Sequence, residues 1–181
     1  MQTNSLAASG MMPFKDNTDD PFPKSVQDVG FYTFEDVAVV CDILERVANR
    51  IIRPAFLHLK HYDTIPKDED DLTTSIDKNS EKFIIRALQK RNGIPLQFVA
   101  EEKMSGIMQA VQIIRDTKGV VVSIDALDGT INFVNDVPKF SSCLSFVHNR
   151  TTQIGFINSI MTNEMAFAIK GVGAFINGHR I

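Results

Sequence analysis

The sequence predicts an α/β fold in which two helices precede a largely antiparallel sheet. Apolar residues recur at helical spacing between residues 34 and 51, and again between 77 and 89. After Pro95 this period is lost, and short apolar runs separated by turn residues take its place. Large apolar residues then alternate with smaller or charged ones through residues 165–170, which is typical of a strand that buries one face.

The N-terminal third supplies a tail and the first helix. Residues 1–30 are rich in Pro, Ser, Asn and Asp, and we expect them to form a flexible tail before a domain that occupies residues 31–181. A helix is expected to begin near Thr33, because Asp36 follows three residues later as a capping partner. Pro54 should end or kink this helix, since proline lacks the N–H that the helical ladder needs.

A polar stretch separates the first helix from the second. Residues 61–73 are mostly polar and acidic, and we expect an exposed loop there. A second helix is expected from about Asp77 to Gln89, where apolar side chains again share one face. Gly93 and Pro95 should close this helix, because glycine caps helix ends and proline cannot continue a helix.

The rest of the chain is expected to form strands, with one short helix among them. We expect a strand at 95–99, a helix at 106–115 and an apolar strand at 119–124. Three further strands joined by two polar turns should form an antiparallel meander. These strands and turns are 140–147, Asn149-Arg150, 153–161, Thr162-Asn163 and 164–170.

Composition excludes several classes of partner. The net charge of −3 gives no general electrostatic reason to bind nucleic acid or an anionic membrane. The sequence contains no signal-peptide pattern and no apolar run near the ~18 residues of a membrane span. Cys41 and Cys143 are far apart and lack metal-binding spacing. We therefore expect reduced thiols in a cytoplasmic protein without a membrane partner.

Two of the predicted strands end in acidic residues. Glu101 and Glu102 follow the first of them, and Asp125 and Asp128 follow the strand at 119–124. Carboxylates brought side by side repel one another unless a cation lies among them. Because Mg²⁺ prefers oxygen ligands of this kind, the acidic residues predict a magnesium site.

Gly129 and Thr130 follow this acidic cluster directly. Glycine lets a backbone approach a ligand closely, and N–H groups at a helix start can bind phosphate oxygens. Together these features suit metal-assisted phosphate chemistry. Simpler interpretations remain open, because an Asp-Gly pair is often only a turn. By the same reasoning Asp77 alone would serve as a helix cap, and Glu101 with Glu102 would form a solvated pair.

The stretch DALDGTINF at residues 125–133 resembles the Asp-Pro-Ile/Leu-Asp-Gly-Thr-x-Asn-Phe signature of the inositol monophosphatase family. Three other segments resemble motifs of this family and occur in the same order. They are LTTSID at 72–77 with Glu81 after it, AEE at 100–102, and KGVGAFING at 170–178. The resemblance covers about residues 33–181 and implies the layered αβαβα sandwich of the sugar phosphatases.

The resemblance implies a Mg²⁺-dependent phosphate monoester hydrolase that acts on inositol monophosphate through attack of a metal-activated water. Glu101, Asp125 and the carbonyl oxygen of Leu127 would bind a first Mg²⁺. Asp125 would bridge to a second Mg²⁺, which Asp128 would also bind. The substrate would be a small phosphorylated polyol, and the full-length protein is expected to be a homodimer.

The same resemblance assigns the remaining site residues. Glu101 and Thr130 would orient the attacking water, and Asp77 would hold Thr130 by a hydrogen bond. The substrate-binding residues would be Leu127, Asp128, Gly129 and Thr130.

Three positions depart from the family pattern. Ala126 replaces the usual proline, and Val122 stands where many members have tryptophan. Ala100 replaces a glycine, and it would be strained if the backbone there needed a positive φ. These departures bear more on the identity of the substrate than on the acidic residues.

The family pattern continues past the hairpin at Asn177-Gly178 to a Trp-Asp segment, whose aspartate completes the second metal site. This chain ends at Ile181. We therefore expect a C-terminally truncated chain that holds the N-terminal part of the domain and hydrolyses substrate negligibly by itself.

Other functions stay open at this point. Within the superfamily the substrate would instead be fructose bisphosphate, histidinol phosphate or a 3′-phosphonucleotide. A different class of function is a non-catalytic regulatory protein that contacts transcription and RNA machinery, as some bacterial relatives do. An inactive fragment is the third alternative.

Overall fold

The computed structural model describes residues 22–58, 64–68, 71–91, 94–104 and 106–181, and it has a mixed α/β fold. Helices pack against a seven-stranded sheet, and a separate two-stranded hairpin precedes the longest helix. The predicted fold class is thereby confirmed. No helix in the described ranges has both the length and the apolar composition of a transmembrane span.

The end of the predicted tail packs into the core instead of extending freely. Helix α1 spans Lys24–Gln27, and Phe22, Val26 and Val29 are buried around it. The apolar residues here are too few, and too mixed with Pro and Asp, to predict their burial from sequence. The flexible-tail prediction is therefore wrong for residues 22–30, and residues 1–21 lie outside the described part.

Helix α2 spans Phe34–Val47 and begins as predicted. Thr33 is its N-cap and forms a capping box with Asp36, in which each side chain accepts from the other residue's backbone N–H. The helical ladder does not end near Pro54. It continues through a π-helical turn, Ala48–Ile52, into α3, Arg53–His58. The wider turn ahead of Pro54 lets the chain continue past its missing N–H.

The loop predicted at 61–73 contains a hairpin instead. Strands β1, Thr64–Asp68, and β2, Asp71–Thr74, pair antiparallel with an irregular register near Asp68. Short strands that contain proline and several carboxylates lack the alternating apolar pattern from which a strand is predicted. The loop prediction is therefore wrong where the structure describes these residues.

Helix α4 spans Ser75–Gln89 and confirms the second predicted helix. Thr74 caps it, and Asp77 completes a capping box of the same kind as in α2. Two carboxylates, those of Asp77 and Glu81, lie on its buried face among apolar residues. The buried residues of α4 are Asp77, Ser80, Glu81, Ile84, Ile85 and Leu88. Gly93, expected to close this helix, lies outside the described residues.

The large sheet holds its seven strands in chain order. The first two strands run parallel, joined through helix α5, Ile107–Asp116, and every later pair is antiparallel. The strands are β3 Leu96–Ala100, β4 Val120–Asp128, β5 Ser141–His148, β6 Thr151–Ser159, β7 Glu164–Ile169, β8 Gly173–Ile176 and β9 His179–Arg180. The predicted strands, meander and short helix are thus confirmed, but β4 runs four residues further than predicted.

Two hairpin turns in the meander use residues with positive φ. Asn149 and Arg150 have φ values of 49° and 60°, and Asn177 and Gly178 have 48° and 80°. Such pairs form the two-residue turns whose twist matches that of antiparallel strands. The turn residues therefore set the register of the strands on either side.

The two faces of the sheet are covered differently. Alternate residues of β4, among them Val122 and Ile124, join the main core with α2 and α4. The residue between such positions, Val121, packs instead with Val99 and with residues of α5. Because side chains alternate along a strand, the end of β4 delivers neighbouring residues to opposite faces of the sheet.

Candidate functional site

The parallel pairing of β3 with β4 places two acidic residues at one edge of the sheet. Ala100 pairs with Ile124, so Glu101 and Asp125 leave the paired strands side by side. Burial, the charge of Glu101, a hydrogen bond with Glu101 and the charge of Asp128 together raise the pKa of Asp125 to about 8. Two carboxyl groups placed this close in a buried setting favour sharing a proton over both being ionised.

A bulge in β4 shapes the backbone between the two aspartates. The regular pairing with β5 is interrupted between Asp125 and Asp128. Within the bulge, the N–H of Leu127 donates to Asp125 Oδ1 at 3.2 Å. Ser142 Oγ donates to the carbonyl oxygen of Ala126 at 2.7 Å and is fully buried. This contact holds the loop at the position where the family has a proline.

Gly129 turns the chain from β4 into a short helix, α6, at Thr130–Val134. Its φ of 90° is a conformation that residues with a Cβ rarely adopt. A Cβ placed there would lie 3.0 Å from the carbonyl oxygen of Lys139. Both the backbone angle and the available space therefore require glycine.

The hydroxyl of Thr130 connects this loop to helix α4. Thr130 Oγ1 lies 2.9 Å from Asp77 Oδ1 and 3.0 Å from the carbonyl oxygen of Leu127, so its one proton is directed at two acceptors. Asp77 is 4% exposed, and its other oxygen accepts from the N–H and hydroxyl of Thr74. Asp77 therefore caps helix α4 and also accepts the predicted hydrogen bond from Thr130.

The pKa of Asp77 is raised above its ordinary value because burial outweighs the hydrogen bonds from Thr74 and Thr130, which act in the opposite direction. Three donors aimed at one carboxyl group stabilise its ionised form. With Asp77 ionised, Thr130 acts as the donor between them, and the lone pairs of its oxygen stay available to accept a hydrogen bond.

The segment that carries Glu101 is a single 3₁₀ turn, Glu101–Lys103, at the end of β3. Ala100 has φ −123° and ψ 132°, which is ordinary extended backbone. The alanine therefore causes no strain there. The N–H of Glu102 donates to Glu81 Oε2 on α4 at 3.0 Å. No role for Glu81 was predicted, although its spacing of four from Asp77 on one helix is a signal that both face the same neighbour.

Two serines at the site were also not predicted. Ser142 supports the bulge, and Ser141 Oγ donates to Asp128 Oδ2 at 3.4 Å. Both lie on β5, directly across from the acidic stretch of β4. The cross-strand register that places them there could not be read from sequence.

The carboxylates, the hydroxyls and the Leu127 carbonyl described above offer oxygen ligands, which suit a hard cation such as Mg²⁺. A cation in place of the shared proton would compensate the burial of Asp125 and relieve its repulsion with Glu101, the two largest causes of its raised pKa. Across the described part of the chain, however, no three His, Cys, Asp or Glu side chains form a group that could hold a metal ion. The pair of Glu101 and Asp125 is therefore the portion of the site that fits a cation.

Comparison with known proteins agrees with this architecture. The sequence model that describes the inositol monophosphatase family matches residues 35–181 of this chain. A fructose-1,6-bisphosphatase/inositol-1-monophosphatase of Thermotoga maritima is 32% identical over 127 residues, which are 69% of this chain and 45% of that protein. A Nus factor SuhB of Pasteurella multocida is 32% identical over 136 residues, which are 75% of this chain and 48% of that protein.

Solved structures show the same fold. The inositol monophosphatase TM1415 of Thermotoga maritima superposes with a TM-score of 0.65 at 26% identity, covering 82% of this chain and 52% of that one. The chain thus spans about half the length of the relatives it matches. Its fold, its motifs in their order and the match over most of its length show that this chain belongs to the inositol monophosphatase family.

Proposed function

We propose that the protein hydrolyses phosphate monoesters with Mg²⁺, and that inositol monophosphate is its substrate. The observation that supports this most is the hydrogen bond from Thr130 to the buried Asp77, beside the carboxyl pair of Glu101 and Asp125. This arrangement places a hydroxyl oxygen that can accept a hydrogen bond from water beside two carboxyl groups that would bind a cation. Membership of a phosphatase family supports the same reaction class.

In this proposal Glu101, Asp125 and the carbonyl oxygen of Leu127 would hold a first Mg²⁺. Asp125 and Asp128 would contribute to a second. Bound there, Mg²⁺ would supply positive charge that lowers the pKa of a water and neutralises phosphate oxygens. The protonated pair must release its proton before it binds a cation, so binding strengthens as the pH rises.

Thr130 and Glu101 would orient the attacking water. The Thr130 proton is directed at Asp77 and Leu127, so the hydroxyl oxygen accepts a hydrogen bond from the water. Glu101 offers a second acceptor for the other proton of the water. With both protons held, the water directs a lone pair towards phosphorus, which is the positioning that lowers the barrier.

The reaction needs no covalent enzyme intermediate. A bond forms between the water oxygen and phosphorus, while the bond from phosphorus to the ester oxygen breaks. In this proposal the proton lost by the water passes to the carboxylate of Glu101, which returns it to solvent. The leaving alkoxide takes up one proton from a solvent water and departs as the free alcohol, and phosphate is the second product.

The turn at Gly129 would seat the phosphate. Glycine permits the φ of 90° with which the backbone turns here from β4 into α6. Beside it lies a cavity of about 380 Å³ lined mostly by polar residues, including Asp128, Asn132, Ser141 and Thr162. Hydroxyl and carboxylate groups of this kind suit the hydroxyls of a polyol, which supports a small phosphorylated polyol as the substrate.

A second candidate is a regulatory role through contact with transcription and RNA machinery. The observation that favours it is the match to a protein named Nus factor SuhB, whose 32% identity equals that of the Thermotoga enzyme. The two candidates differ in what the acidic residues are for. Only the hydrolase proposal requires phosphate release to depend on Asp125.

The experiment measures phosphate release by the whole protein to which this chain belongs, with inositol 1-phosphate, fructose 1,6-bisphosphate and histidinol phosphate compared at equal concentration. We expect release that needs Mg²⁺, stops with EDTA and is fastest with inositol 1-phosphate. Fastest release from another substrate would correct the substrate alone. No Mg²⁺-dependent release from any of them would contradict the hydrolase proposal and favour the regulatory one.

A further inference from the structure

We infer that Glu81 is a positioning residue for Glu101, an inference that rests on the proposed function and extends it. The Glu81 side chain is 2% exposed on the inner face of α4. Its Oε2 accepts a hydrogen bond of 3.0 Å from the backbone N–H of Glu102, which lies 21 residues away in sequence. Glu81 would therefore act on the site through the backbone next to Glu101, without touching the substrate.

The turn that carries Glu101 is short and lies at the end of an edge strand. It is one 3₁₀ turn, Glu101–Lys103, at the end of β3, and β3 is the edge strand of the sheet. Such a short turn leaves its first N–H groups without partners inside the helix. The carboxylate of Glu81 provides one of them with an acceptor, and so fixes the orientation in which Glu101 leaves the strand.

Glu81 also explains how two separate loops keep one geometry. Asp77 and Glu81 are four residues apart on α4, so both lie on the same face. Asp77 accepts from Thr130 on the loop after β4, while Glu81 accepts from the turn after β3. One rigid helical turn therefore sets the relative position of Thr130 and Glu101, the two residues that the proposed function assigns to the attacking water.

The burial of Glu81 also supports its role as a positioning residue. A carboxylate enclosed by the core is costly unless hydrogen bonds compensate it. Its neighbours on the buried face of α4 include Ile84 and Ile85, where an apolar residue would fit. The hydrogen bond from the Glu102 N–H contributes to this compensation.

Three variants separate the hydrogen bond from the helix. Glu81→Leu removes the acceptor, and Glu81→Gln keeps an acceptor oxygen in a side chain of the same shape. Ser80→Ala is the matched control, because Ser80 is fully buried on the same helix and its hydroxyl has no hydrogen-bond partner in the described ranges. A general disturbance of α4 would affect all three variants, whereas loss of the acceptor affects Glu81→Leu most.

The first readout is hydrogen exchange of the Glu102 amide in the metal-free 181-residue chain. We expect exchange to accelerate by about tenfold or more in Glu81→Leu and by less than about threefold in Glu81→Gln, with no change in Ser80→Ala. If Glu81→Leu fails to fold, the Glu102 amide proton of Glu81→Gln should still shift upfield, because a neutral amide is a weaker acceptor. Unchanged exchange of the Glu102 amide in a folded Glu81→Leu variant, or an unchanged chemical shift of this amide proton in Glu81→Gln, would overturn the inference.

The second readout is Mg²⁺ affinity, measured by calorimetry on the folded variants. We expect Kd to rise about tenfold or more in Glu81→Leu, and to stay within about threefold of the wild type in Glu81→Gln and Ser80→Ala. A folded Glu81→Leu variant with wild-type Mg²⁺ affinity would overturn the positioning role. Failure of the proposed function appears differently, as absence of Mg²⁺-dependent phosphate release from the wild type while Glu102 exchange still depends on Glu81.

Discussion

The hydroxyl of Thr130 donates a hydrogen bond to the carboxylate of Asp77 over 2.9 Å, although 53 residues separate them in sequence. The same carboxylate caps helix α4 through the N–H of Thr74 at 2.8 Å. One buried side chain therefore fixes both the start of a helix and the loop of the proposed site. Stability and catalysis are expected to depend on it together.

Replacement of Thr130 tests its role towards water. Thr130→Val keeps the shape of the side chain but removes the hydroxyl, so kcat of the whole protein should fall by about 10–100-fold with little change in KM, since the lost contact matters mainly in the transition state. Thr130→Ser should be milder because the hydroxyl remains. Steady-state kinetics at saturating Mg²⁺ checks this. A change confined to KM would make Thr130 a substrate-binding residue instead.

Asp77→Asn should reduce both stability and turnover. The amide turns a donor group towards the donors of Thr74 and Thr130, so the free energy of unfolding should fall by about 1–3 kcal/mol. Denaturant unfolding measures this, and phosphate release by the same variant should fall as well.

Asp36→Asn is the matched control for that variant. Asp36 occupies the same capping-box position on α2, with Thr33 as its N-cap, and has no assigned role in the site. The Asp36→Asn variant should have a lower free energy of unfolding, because it weakens the helix cap and the ion pair with Arg91. Its kcat should be unchanged. Equal loss of turnover in both variants would mean that Asp77 acts through stability alone.

Gly129→Ala should be strongly destabilising. The φ of 90° is unfavourable for alanine, and the added Cβ would meet the carbonyl oxygen of Lys139 at 3.0 Å. We expect a loss of about 1–3 kcal/mol in the free energy of unfolding. Gly119→Ala is the control, because its Cβ would meet nothing within 4 Å and its φ is not positive, so it should be nearly neutral. Similar losses at both positions in thermal denaturation would refute the requirement for glycine at 129.

Asp125 makes the stability of the metal-free chain depend on pH. Its pKa of about 8 in the folded chain exceeds its ordinary value of 3.8, so the folded state binds the extra proton between these pH values. The free energy of unfolding should therefore fall as the pH rises from about 4 to about 8, and this contribution should level off above that. Asp125→Asn should lack the decline.

Thermal melting in EDTA between pH 5 and pH 9 measures the effect as the difference between wild type and Asp125→Asn. Added Mg²⁺ should stabilise the wild type more at pH 8 than at pH 5, since the cation competes with the proton, and should not stabilise the variant. Parallel melting curves for the two proteins across this range would refute the raised pKa.

Much of the fold could be predicted because local signals and tertiary structure agree. The capping pairs Thr33 with Asp36 and Thr74 with Asp77 start the two main helices, and alternation at Met165, Phe167 and Ile169 marks a strand with one buried face. The hairpin at 64–74 escaped prediction because its strands are short and polar. The burial of residues 22–30 was not predicted because their few apolar residues follow neither the helical nor the strand period.

The site was predictable in its residue types but not in its connections. The acidic residues and Gly129 could be named from the motif, and the structure brings them to one edge of the sheet. The contact of Glu81 with Glu102 and that of Ser142 with Ala126 join segments that are distant in sequence. Such contacts depend on the register of the sheet and on the rotation of α4, which no local pattern encodes.

The central claim is that Asp125 serves cation-dependent hydrolysis of a phosphate monoester. The most direct measurement is phosphate release from inositol 1-phosphate by the wild-type whole protein and its Asp125→Asn variant, over a Mg²⁺ titration that reaches saturation. We predict saturable, Mg²⁺-dependent release by the wild type and none by the variant at any Mg²⁺ concentration, because the amide is neutral and a poorer metal ligand. Release by Asp125→Asn at the wild-type rate would contradict this account.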